Sequence, residues 1–79
     1  MSIELFISQF AEQFDETDPT EFTPHTEFKR LNEWSSMHAL LIIALIDAEY
    51  NIPFTGEDLQ TCTTIADIYQ IISRRMGSG

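Results

Sequence analysis

Trp34-Ser35-Ser36-Met37, with the apolar run that follows it to Asp47, decides the reading of this chain. Two serines stand where a polar, proline-marked segment gives way to the most hydrophobic stretch. Serine at such a junction starts a helix, because its hydroxyl accepts a backbone N–H two or three residues on. The pattern predicts a helix from Ser35 or Ser36 to about Tyr50, ended by Asn51 and Pro53. At about 100° per residue, Ala39, Ile42, Ile43, Ile46 and Tyr50 form one apolar face. Met37, Leu41, Ala44 and Ala48 form a second, on nearly the opposite side. Only His38, Asp47 and Glu49 are polar after the serines. A helix apolar all round is normally buried all round. A domain of 79 residues has little material for that. One face is therefore expected to be covered part of the time, by a cargo or a partner.

Upstream, Ser2 caps a helix expected to run to about Phe14. Ile3, Phe6, Ile7, Phe10 and Phe14 recur on one stripe, while Leu5 falls off it and Gln9, Glu12 and Gln13 face water. Asp15 to Trp34 is a long connection, with Asp18-Pro19 and Thr23-Pro24 disfavouring helix. Phe22, Phe28, Leu31 and Trp34 punctuate it, so it is expected to lie across the bundle with those side chains inserted and a helical turn around Thr26 to Leu31. Downstream, Thr55 caps a short helix from Gly56 to about Thr61, with Leu59 turned inward. Thr64-Ile65-Ala66-Asp67 fits a capping box with aspartate in the acidic position. It opens a last helix with the stripe Ile65, Ile68, Tyr69, Ile72 and Met76, and with Arg74 and Arg75 suited to its negative end. No internal repeat or strand pattern stands out. Phe10, Phe14, Ile42, Ile46, Tyr50, Leu59, Ile68 and Ile72 are expected in the core.

The length allows one domain, 1–79, with 77–79 as a flexible tail. No apolar run approaches the roughly 18 residues that a membrane span needs. The N-terminus has no basic region ahead of an apolar segment, so no secretory signal is expected and the chain is placed in the cytoplasm. Cys62 is the only cysteine, which fits a reducing compartment. Thirteen acidic residues against four basic ones give a net charge of −9. That excludes a nucleic-acid footprint and suits either basic partners or plain solubility.

Catalytic equipment is missing. There is no G-x-S-x-G motif, and His38 lies two positions from Ser36, a spacing at which helical side chains do not face each other. His25, His38 and Cys62 lack zinc-site spacing, and no glycine-rich phosphate loop exists. No enzyme activity is expected. What remains is a serine presented at a helix start. By capping preference both serines read as caps. The position also suits a covalently attached phosphate, because backbone N–H groups and the helix dipole stabilise an anion there.

Phe28-Lys29-Arg30-Leu31, Trp34-Ser35-Ser36-Met37, Glu49-Tyr50-Asn51-Ile52, Asp58-Leu59 and Thr64-Ile65-Ala66-Asp67-Ile68 together resemble an acyl carrier protein. The resemblance covers the whole chain and implies an all-α fold, a small four-helix bundle with a long loop between helices one and two. The family signature is an Asp-Ser-Leu triplet whose serine carries 4′-phosphopantetheine. Ser35-Ser36-Met37 looks like that triplet, so the resemblance assigns the arm to Ser36. It implies a monomeric carrier rather than a catalyst. A phosphopantetheinyl transferase would load it from coenzyme A, and acyl-transfer and synthase enzymes would visit acyl groups held as thioesters on the arm's thiol.

Two positions depart from the family pattern. Ser35 replaces the usual aspartate and brings no charge. The partner-facing side of helix two, commonly acidic, here carries Met37, Leu41, Ala44 and Ala48, with His38 beside them and Asp47 and Glu49 remaining. Met37, His38, Leu41, Ala44, Asp47 and Ala48 are accordingly the expected partner-binding residues. The cargo is expected to belong to fatty-acid, polyketide-like or related secondary-metabolite synthesis. A peptidyl or aminoacyl carrier, and an unmodified helical adaptor that kept the fold, are the alternatives.

Overall fold

The computed structural model describes residues 2–77. Four α-helices form, α1 (Ile3–Ala11), α2 (Ser36–Tyr50), α3 (Gly56–Gln60) and α4 (Ile65–Gly77), and no strand occurs among the described residues. The helix α2 packs on each of the other three, and α1 also packs on α4. Among the described residues, no helix is long and apolar enough to cross a membrane.

The ends of the helices follow local chemistry. Ser2 accepts the Leu5 N–H at 3.2 Å and opens α1. That helix stops at Ala11 rather than near Phe14, because its last turn tightens: Gln13 and Phe14 donate to the carbonyls three residues back. The tighter turn still delivers Phe14 to the core. Asn51 ends α2 in the left-handed conformation, at φ 53°, which asparagine tolerates better than most residues. Thr55 and Asp58 form a reciprocal capping box on α3. The expected box at Thr64 also forms, with Asp67 accepting from the Thr63 and Thr64 amides and Thr64 accepting from Asp67.

The long connection contains two 3-10 turns, Pro19–Glu21 and Phe28–Arg30. Phe22 and Phe28 are buried, and Leu31 and Trp34 pack against the core. Phe10 is the centre of the aromatic cluster, with Phe6, Phe14, Phe22 and Phe28 around it at 5.5–6.1 Å between ring centroids. All eight expected core residues are buried, joined by Phe6, Ile52, Phe54, Cys62 and Ile65. The Cys62 thiol sits 3.4 Å from the Asp58 carbonyl, and burial pushes its pKa up.

Two expectations need correction, those for Gln9 and Gly77, and two gain detail. Gln9 does not simply face water: its amide accepts the Tyr50 hydroxyl at 2.6 Å and donates to Glu49 at 3.2 Å, tying α1 to the end of α2. Met76, at the end of the α4 stripe, is exposed. Arg75 does more than face the helix dipole: it holds Asp58 through two hydrogen bonds and donates to the Pro53 carbonyl. Gly77 closes α4 and is no tail, while Ser78 and Gly79 lie outside the described residues.

Candidate functional site

The two serines at the start of α2 have different surroundings. Ser35 is the N-cap, in extended backbone, and its hydroxyl accepts the His38 N–H at 3.3 Å. The same oxygen lies 2.9 Å from His38 Nδ1. The other ring nitrogen, Nε2, faces Glu33 Oε2 at 3.5 Å. Ser36 is the first helical residue. It is exposed, and its hydroxyl makes no hydrogen bond among the described residues.

Glu33 anchors this arrangement from the loop. It accepts the Asp15 and Glu16 amides at 2.9 and 3.0 Å and the Thr17 hydroxyl at 2.8 Å. Desolvation pulls its carboxyl up, yet those three donors and the nearby His38 together hold it below the usual value. The His38 ring stacks on Phe14 at 4.5 Å between centroids, and its side chain is only 13% exposed. Expected beside the partner-facing surface, His38 instead has its ring turned inward. It joins the chain after α1, the loop and the cap of α2. Sequence spacing correctly separated His38 from Ser36; its bond to Ser35, three residues away, went unread.

Outward, α2 presents Met37 at 67% exposure and Leu41 at 38%, with Ala44, Asp47 and Ala48 also exposed. Leu40 is 68% exposed and belongs to neither of the two expected faces. On the Leu40 side runs a groove of about 380 Å³ between α2 and α3, lined by Lys29, Ser36, Leu40, Ile43, Leu59 and Gln60 among others. Its floor is apolar, and Ser36 stands on its wall. Lys29 crosses from the loop and donates to the Gln60 carbonyl at 3.0 Å.

No cluster of three or more potential metal ligands exists among the described residues. The site at the start of α2 fits a phosphodiester-linked arm. An exposed, unengaged hydroxyl stands at a helix N-terminus, where the first amides lack intrahelical partners and the dipole favours an anion. No curated protein matches the chain, and no solved structure does. The family model described as a phosphopantetheine attachment site matches residues 4–72, nearly the entire chain. With four helices and a serine displayed at the start of α2, the chain belongs to that family of carrier proteins, which hold 4′-phosphopantetheine covalently.

Proposed function

We propose that the chain is an acyl carrier protein with 4′-phosphopantetheine on Ser36. What supports Ser36 over Ser35 is the commitment of the Ser35 hydroxyl to the His38 amide and ring, against an exposed Ser36 hydroxyl with no hydrogen-bond partner among the described residues. The arm, when attached, supplies a terminal thiol that carries acyl groups as thioesters. The protein's own part is to display the serine, hold the helix start rigid and meet its partners. It performs no catalysis itself. A phosphopantetheinyl transferase loads it, and acyl-transfer and synthase enzymes of fatty-acid, polyketide-like or secondary-metabolite synthesis act on it as a cytoplasmic monomer.

Partners are read through the outward side of α2. Met37, Leu41, Ala44 and Ala48 supply apolar area, and Asp47 supplies charge at the rim. His38 supports this surface from beneath through Ser35 and Phe14. The intact mass after incubation with coenzyme A and a broad-specificity phosphopantetheinyl transferase tests the assignment. Wild type and Ser35→Ala are expected to gain the mass of the arm, and Ser36→Ala to gain none. Gain in Ser36→Ala with loss in Ser35→Ala would move the arm to Ser35.

A further inference from the structure

Lys29 is the chain's only lysine, and it lines the groove that holds Ser36. Among the described residues, no other charged side chain lines that groove. The remaining cations are elsewhere: Arg30 faces Glu27 at 3.7 Å, Arg75 is bound to Asp58 at 2.8 Å, and Arg74 lies near the end of α4. Lys29 makes no ion pair among the described residues. Its ammonium makes two contacts. The ammonium stands 5.7 Å from the centre of the Phe28 ring, and it donates to the carbonyl of Gln60, the last residue of α3. An ammonium has three N–H donors. One is used on Gln60, so two remain for a ligand in the groove.

We propose that Lys29 is the residue that holds the phosphodiester of the arm, and so sets the direction in which the arm leaves Ser36. This rests on attachment at Ser36. A phosphodiester carries a negative charge and would stand on a protein of net charge −9. Helix-start amides offset part of that repulsion. Lys29 supplies the opposite charge from the α3 side of the groove and biases the arm across Leu40 and Ile43. The ammonium keeps its bond to Gln60 while it does so, which joins the arm's anchor to the end of α3.

A single lysine makes the test direct. In protein labelled with 15N-lysine, the Lys29 Nζ resonance is compared between the unloaded and loaded forms, with loading read by intact mass. Loading is expected to shift it. The 31P resonance of the loaded form is then recorded for wild type, Lys29→Met, Lys29→Arg and Arg30→Met. Lys29→Met should shift the signal and lower the ratio of held to free phosphate about two- to fivefold, the range of an exposed ion pair. Lys29→Arg should restore most of the wild-type signal, and Arg30→Met should leave it unchanged. An Nζ resonance indifferent to loading would overturn the proposal even if the methionine variant failed to fold, as would a 31P signal identical in wild type and Lys29→Met. A mass gain that persists in Ser36→Ala would instead overturn the attachment site.

Discussion

Ser35 and Ser36 are neighbours of one chemical type with opposite employment. The Ser35 hydroxyl is spent on the His38 amide and ring, so removing it strips a helix cap and leaves His38 Nδ1 without its partner. Ser35→Ala is expected to lower stability by about 0.5–2 kcal/mol, the usual range for a lost cap. Urea denaturation at constant m-value measures it. Ser36→Ala removes no hydrogen bond among the described residues and should leave the urea midpoint nearly unchanged. The cap was legible in the sequence because its bond closes within three residues. The support behind it was not. Glu33 meets the backbone of Asp15 and Glu16, 17 to 18 residues back, through a loop whose path no local pattern dictates. His38 likewise takes its place from Phe14, which sits on another element.

Among the elements, α2 is the one the others lean on. Ile42 and Ile46 are fully buried on its inner side, against the helices around it. Ile46→Ala is expected to cost about 2–5 kcal/mol, and thermal or urea unfolding reads it. A loss below about 0.5 kcal/mol would place Ile46 outside the packed core. Periodicity located that inner side correctly. It left Leu40 unassigned, between two apolar faces, and Leu40 lines the groove beside α3. A helix apolar around its whole circumference offers no polar side from which to fix its rotation.

The five-residue α3 is too short to persist alone and depends on its cap and on Arg75. Hydrogen bonds from Arg75, then from the Thr55 amide, hold the Asp58 carboxyl well below the usual carboxylate range. A carboxyl lowered on folding adds stability that is complete above its unfolded pKa and is lost as pH falls toward the folded value. The stability gap between wild type and Asp58→Asn should therefore be widest above about pH 5 and narrow below about pH 4. Urea midpoints across that range check it. Capping signals announced α3 in the sequence, but the Arg75 clamp, 17 residues away, did not show.

At the scale of the molecule, a strongly acidic protein exposes an apolar helix side, which we propose its partners read. Long-range attraction to a basic enzyme weakens as salt rises, whereas apolar area removed from water is not screened by ordinary salt. Leu41→Glu is expected to cost a cognate enzyme about 1.5–3 kcal/mol of binding, the value of an apolar side chain. Asp47→Ala, at the rim, should cost about 0–1 kcal/mol. Titration of the loaded protein at low and physiological salt compares the two. Steep salt dependence with indifference to Leu41→Glu would assign recognition to the acids. The acidic balance and the apolar outer side were both readable from the chain. The exposure of Leu40 was not, because composition does not say which of several apolar sides the small core leaves uncovered.

The buried Cys62 has a practical corollary in labelling chemistry. The protein's one thiol is almost inaccessible, and burial raises its pKa, so little reactive thiolate is available to a native-state alkylating reagent. The arm of the loaded form ends in a second thiol, outside the core. Under native conditions maleimide should therefore mark the arm alone. The ratio of its uptake before and after denaturation then reports what fraction of a preparation carries a free, uncharged arm, with no engineered tag.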